Sequence, residues 1–341
     1  MPTIFVRDPE TTVATDSSYL TLRSKGRKIG RIPPSMIERL ILESGVEVTR
    51  KALDRLGALG IPVTFLGPEG NVQARLVPPW RADPKPRLGQ SRAFFDPALS
   101  LALAKRWVDA KLANSVTVIR RYLANHSSTT LSAAWKDILQ MRAKAASAPD
   151  LSSLIGHEGG AARIYFSGFG EMLRAPWAEF SGRNRRPPKD PVNAVLSYSY
   201  GLISHQLHAC AEVVGLDPYV GFLHGGDYHR PALALDLMEP FRPVLGDRLA
   251  LRLINLGTLR EEHFHSPDGL HNGIRITRDA RHAVIESFER WVQACDPELN
   301  PGWPSPGGML LAEVERFSQL AAKEQLCDFI PFYLDPSEAR N

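Results

Sequence analysis

Four side chains in two stretches of the sequence have the chemistry to hold a divalent cation. In Leu154-Ile155-Gly156-His157-Glu158-Gly159-Gly160-Ala161-Ala162-Arg163-Ile164-Tyr165-Phe166, a helix brings Glu158 to the end of an apolar face, because Ala162, Tyr165 and Phe166 follow at four, seven and eight residues. A carboxylate there needs a partner, since burying an unpaired charge is costly. In Gly221-Phe222-Leu223-His224 and onward to Pro243, a loop histidine precedes a helix expected to start near Pro231, and Asp236 and Glu239 share one face of that helix. Glutamate oxygen, imidazole nitrogen and a further carboxylate form a mixed site for Mg²⁺ or Mn²⁺, with the imidazole tilting the choice toward Mn²⁺. Such an ion polarises a phosphoryl oxygen. The same residues also admit ordinary roles: Glu158 as a helix-start acid near the positive end of the dipole, and Asp236 and Glu239 as an acid pair tied to Arg230 and Arg242.

A second constellation is positive. Ser181-Gly182-Arg183-Asn184-Arg185-Arg186-Pro187-Pro188-Lys189-Asp190-Pro191 carries four bases within seven positions. Arg183, Arg185, Arg186 and Lys189 suit phosphate clamping without sequence readout; the alternative is a solvated charge run. Lys105, Arg106, Lys111, Arg120 and Arg121 extend the positive track or, taken singly, form a solvated helix face. Other histidines carry less. His205 and His208 are expected to pack beside Cys210, and His263 and His265 near Glu261 and Glu262 are read as loop residues. His224-Gly225-Gly226 has no G-x-S-x-G elbow to make it an esterase loop. Phosphate-cradling glycine motifs are absent from the sequence.

The elements that must position these groups divide into two parts. Residues 1–80 read as a β-rich domain, with strands near Thr3–Val6, Tyr19–Leu22 and Val46–Val48 and one short helix over Lys51–Leu59. Residues 81–95 read as a proline-rich, basic, extended linker. Residues 96–341 read as a mainly α-helical domain, with Asp96-Pro97 opening its first helix and further helices over 132–145, 157–173, 190–214, 230–238, 248–256, 279–295 and 309–324. The fold class is therefore α+β. A chain of 341 residues, 43% hydrophobic and 23% charged, has material for such cores. Its formal net charge of +4 permits a polyanionic partner. Three distant cysteines, Cys210, Cys295 and Cys327, fit neither a disulfide framework nor a zinc knuckle and point to a reducing cytoplasm. No leader-like or membrane-length apolar run is read, so a cytoplasmic location without membrane association is expected.

Taken together, Gly156–Phe166, Gly182–Asn193 and Gly221–Pro243 resemble the motifs of the CRISPR-associated integrase, the first protein of the Cas series. Leu233-Ala234-Leu235-Asp236-Leu237-Met238-Glu239-Pro240-Phe241-Arg242-Pro243 carries most of the likeness. Leu101–Asn114 resembles the family's first helix in the second domain, and Lys51–Leu66 its N-terminal helix and strand. The resemblance implies that Glu158, His224 and Glu239 are metal ligands, with Asp236 in a supporting catalytic role and Arg242 beside Arg183, Arg185, Arg186 and Lys189 on the DNA. It implies a metal-dependent endonuclease and integrase that inserts spacer DNA into a CRISPR array. It also implies homodimerisation through the β domain, double-stranded or branched DNA as substrate, and a small ferredoxin-like partner. A stand-alone nuclease for branched-DNA repair and a non-catalytic DNA-binding scaffold are the competing readings. An extra His229, and Ala232 where the family often has serine, depart from the pattern.

Overall fold

The computed structural model describes residues 3–16, 18–37, 39–68, 70, 72–77, 83–185, 187–225, 230–266, 273–293 and 306–338. Two compact units divide the chain, Met1–Ala82 and Asp83–Asn341. Arg186, His229, Cys295 and residues 81–82 of the expected linker lie outside the described residues.

The first unit contains two four-stranded sheets. One has β1 (Thr3–Val6), β5 (Arg39–Leu42) and β7 (Val63–Leu66) in parallel, closed by antiparallel β8 (Val72–Leu76). The other runs β4 (Arg27–Ile32), β3 (Leu20–Ser24), β2 (Thr11–Thr15), β6 (Glu47–Val48). Alternating residues such as Leu40, Leu42 and Val63 face inward and are buried with Leu56 of the one helix, α1 (Arg50–Ala58). Thr49 caps α1 by accepting the Ala52 N–H at 3.3 Å.

The second unit is helical among its described residues, apart from the two-residue pair β9 (Phe264–His265) and β10 (Arg275–Ile276). Its first helix corrects an expectation. The stretch read as an extended linker to residue 95 is α2 (Lys85–Phe95). Pro86 falls in the first turn, where a missing N–H costs nothing and the fixed φ favours the helix. Asp96 then caps the 27-residue α3 (Pro97–Leu123) through the Ala98 and Leu99 N–H groups.

Helix α3 is the axis of the unit. From Ala110 to Ile119 nearly every side chain is buried, so this stretch is enclosed on all sides. It packs against α4 (Thr129–Ala146) and α5 (Leu151–Phe169) on one side and against the segment after α7 (Ala232–Met238) on another. Asn114 fixes that second contact. Its Nδ2 donates to the Pro240 carbonyl at 2.8 Å and to the Phe332 carbonyl at 3.1 Å, and its Oδ1 accepts the Leu334 N–H at 2.7 Å. The remaining helices are α6 (Pro191–Val213), α8 (Arg248–Asn255), α9 (Arg278–Gln293) and α10 (Pro306–Ala322). Between α7 and α8, Arg242–Asp247 forms a wide π-helical turn carrying Pro243, which has no N–H to donate to the regular ladder.

Candidate metal and phosphate site

Glu158 lies in the middle of α5, not at its start. Asp150 caps that helix by accepting the Ser153 N–H at 2.8 Å, seven residues upstream of the expected first residue. The helix-dipole reading of Glu158 therefore fails, because the dipole acts only within the first turn. Glu158 instead faces the central stretch of α3.

His224 is held by its loop. Gly221 lies so close to α7 that a Cβ there would fall 2.6 Å from the Ala232 carbonyl carbon, so only glycine allows this approach. The loop then wraps around the buried Asp236 carboxylate. That carboxylate accepts the backbone N–H groups of Phe222 at 2.6 Å, Leu223 at 3.0 Å and His224 at 3.0 Å, and lies 2.8 Å from His224 Nδ1. Asp236 thus spends both oxygens on positioning. Held through Nδ1 by Asp236, the ring turns Nε2 toward Glu239 Oε1, 3.5 Å away.

Glu239 closes α7 and is buried. Arg242 Nε stands 2.8 Å from its Oε1, and Lys111 Nζ stands 2.6 Å from its Oε2. Both carboxylate oxygens of Glu239 are therefore held against positive charge. Burial alone pushes the carboxyl up; Arg242, Lys111 and His224 outweigh it and hold it down at about 2. Lys111 also donates to Glu158 Oε1. Burial pushes the Lys111 ammonium toward neutrality, and the charges of Glu158 and Glu239 reverse that and raise its pKa. The centre therefore sets two carboxylates, Glu158 and Glu239, against the Lys111 ammonium and the Arg242 guanidinium. Among the described residues, no three His, Cys, Asp or Glu side chains stand as a closed metal cage. Glu158 and Glu239 meet through Lys111.

A cleft opens beside this centre, lined by Lys111, Ser115, Tyr165, Arg185, Tyr200 and Arg242 among others. Tyr200 stacks under two guanidiniums, Arg242 at 4.9 Å and Arg183 at 5.4 Å from its ring centre. Its hydroxyl donates to buried Asp247, whose carboxyl burial pushes up to about 6.

The positive loop divides on inspection. Arg185 and Lys189 are exposed, as a phosphate clamp requires. Arg183, expected to join them, turns inward. Its guanidinium donates to the Asn184 carbonyl, to Asn193 Oδ1 at 2.7 Å and to Ser197 Oγ at 3.1 Å, which corrects its role to fixing the loop on α6. Arg242, also expected on the DNA, has a side chain only 11% exposed and committed to Glu239. Asp190 caps α6 as expected, accepting the Asn193 N–H at 2.8 Å. His208 is buried beside Glu212 and edge-on to Tyr219, and Arg106 donates to the Phe329 carbonyl at 2.9 Å.

Three residues of the charged centre and cleft lay outside the sequence-based assignment: Lys111 as a central charge, and Tyr200 and Asp247 in the cleft wall. In the sequence Lys111 has no distinguishing signal, because the surrounding run of α3 also carries Asp109 and Asn114. For the tyrosine and the aspartate, no local pattern marks a pairing across 47 residues.

Comparison with known proteins bears on this arrangement. The family model described as CRISPR associated protein Cas1 matches residues 4–290. The chain belongs to the Cas1 family. It is 37% identical over 297 residues to a protein named CRISPR-associated endonuclease Cas1 2 from Rhodospirillum rubrum, covering 84% of this chain and 85% of that one. A solved Cas1 protein from Thermotoga maritima superposes with a TM-score of 0.80 at 21% identity, covering 95% of this chain and 98% of the other. A casposase solved bound to its integration product superposes at 0.79 with 20% identity, covering 98% and 95%. The Cas1 fold, β-rich first and mainly helical after, is thus the one found here. No helix among the described residues is long and apolar enough to cross a membrane.

Proposed function

We propose that this Cas1-family chain is a metal-dependent DNA endonuclease and integrase whose ion is held by Glu158, His224 and Glu239. The observation that carries the reading is that Lys111 pairs with both Glu158 and Glu239, while His224 Nε2 lies 3.5 Å from Glu239, beside a cleft lined by Lys111, Arg185 and Arg242. The donor set fits Mg²⁺ or Mn²⁺: hard carboxylate oxygens from Glu158 and Glu239, the latter buried, and one imidazole nitrogen from His224. A divalent ion there supplies Lewis-acid polarisation of a phosphoryl oxygen.

The chain's own residues do the rest. Asp236 holds the His224 tautomer and ring plane. The charge of Arg242 keeps Glu239 ionised across the physiological range. Arg185 and Lys189 grip the DNA backbone and fix its register without reading bases. In the strand-transfer step, a DNA 3′-hydroxyl attacks a phosphodiester of the repeat boundary, one P–O bond forms and one breaks, and the displaced 3′-oxygen leaves in line. Water in place of the hydroxyl gives nicking. The casposase neighbour, solved with an integration product, supports the transfer reading over a pure scaffold. Family resemblance adds a homodimer and a small ferredoxin-like partner to the working complex.

The test is an integration and nicking assay with the purified chain, the small partner, supercoiled CRISPR plasmid and Mn²⁺, with and without EDTA. Glu158→Ala and His224→Ala are expected to lose both reactions while retaining most DNA binding. Full activity in both variants, or activity indifferent to EDTA, rejects the site. Nicking of branched DNA with no response to the partner would instead favour the stand-alone nuclease.

A further inference from the structure

The ligand pair Glu158 and Glu239 already shares a cation, and the chain supplies it. Lys111 Nζ donates to Glu158 and stands 2.6 Å from Glu239 Oε2, with its side chain only 11% exposed. Building on the metal-site reading above, we infer that Lys111 is an internal stand-in for the divalent ion: its ammonium neutralises the two ligands in the metal-free protein and is displaced into the cleft when an ion loads.

Three observations lead there. The first is steric and electrostatic. The Lys111 ammonium lies against one oxygen of Glu158 and one of Glu239, the hard donors that a divalent ion would take. Ammonium and ion cannot share one face of Glu158 and Glu239, because their like charges repel strongly in a site with little water.

The second is mobility. Ala110, Leu112, Ala113 and Asn114 around Lys111 are all buried, and Asn114 is tied to three backbone groups. The backbone of α3 stays put, so any displacement belongs to the flexible four-carbon stem alone.

The third is the exit. Lys111 lines the cleft that also holds Arg185, Arg242 and Tyr200. An ammonium turned outward there joins two guanidiniums, a cluster that repels itself until a polyanion enters. Ion loading thereby turns a lysine that guards the ligands into one that faces a DNA phosphate, and by linkage each of the two binding events favours the other.

The test reads Mn²⁺ binding by the resonance of the free ion in the full chain, for wild type, Lys111→Met and Lys111→Gln. Removal of the stand-in is expected to tighten Mn²⁺ binding about tenfold or more and to lower the melting temperature of the metal-free protein, where two carboxylates are left facing each other. Unchanged or weaker Mn²⁺ binding in both variants, with native circular dichroism, overturns the inference. A measurement without mutation guards against misfolded variants. Acylation of Lys111, followed by peptide mass spectrometry, is expected to speed up several-fold on adding Mg²⁺ while other lysines stay constant; an unchanged rate also overturns it. Glu158→Gln and His224→Ala separate the two levels. Loss of Mn²⁺ binding in these two, with Lys111 variants like wild type, sinks only the stand-in. Mn²⁺ binding indifferent to all of them sinks the metal-site reading as well.

Discussion

Asp236 Oδ1 accepts the backbone N–H of His224 at 3.0 Å and lies 2.8 Å from Nδ1 of the same residue's ring. One carboxylate thus fixes both the main chain and the side-chain tautomer of a single histidine. Asp236→Asn puts an amide N–H₂ where an acceptor is needed. Nicking and Mn²⁺ affinity should each fall about 10- to 100-fold, the range for a lost outer partner of a ligating histidine. Asp236→Asn in the His224→Ala background should add little, because the carboxylate acts through that ring. A full additional loss would separate the two residues and is read from a double-mutant cycle.

Asn114→Ala should destabilise the helical unit by about 2–4 kcal/mol, because two carbonyls and one N–H are left buried without partners. Urea unfolding followed by far-ultraviolet circular dichroism measures this. A loss below about 0.5 kcal/mol would show that water satisfies those groups.

Arg185→Ala and Lys189→Ala should weaken DNA binding without changing sequence preference, each reducing the slope of log affinity against log salt by about one unit. Arg183→Ala should behave differently. It leaves Asn193 and Ser197 short of a donor, so the loss appears as loop opening, seen in amide exchange over residues 181–190, rather than as a smaller salt slope.

Burial raises the Glu313 carboxyl to about 7, although Arg316 and the Phe332 N–H favour its ionised form. The group binds its proton more tightly folded than unfolded, so its stabilising contribution is full below about 4.5 and is lost as pH rises toward 7. Glu313→Gln keeps an acceptor for Phe332 and does not titrate. The melting temperature of wild type should therefore fall relative to this variant between pH 4.5 and 7. Parallel curves across that window would refute the assignment.

The acids of the charged centre were legible by type. An acid amid glycines and alanines, and two acids amid leucine and methionine, are poor choices for a core with nothing to bind. Lys111 was not legible, since a lysine on a helix usually shows a solvated face and only the enclosure of α3 reveals otherwise. Arg183 was misread because charge density in a loop says nothing about which guanidinium turns inward; Asn193 and Ser197 decide that from α6. The extended linker was misread for a related reason. Proline stiffens a coil, yet at the first turn of α2 the same ring favours a helix. Glu158 was placed too near a helix start because Gly156, Gly159 and Gly160 lower helix propensity, while the cap at Asp150 had already committed the segment.

The wide turn at Arg242–Asp247 makes residue count itself a determinant of the cleft. Each residue of a regular α-helix advances the chain by about 100°. Deleting one residue between Glu239 and Asp247 would let the turn relax into ordinary α geometry and swing Asp247 away from Tyr200 by roughly a quarter of a revolution. Single-residue deletions scanned through this stretch should therefore be more damaging than most substitutions in it. Transplanting the segment into a related scaffold would succeed only with its length intact.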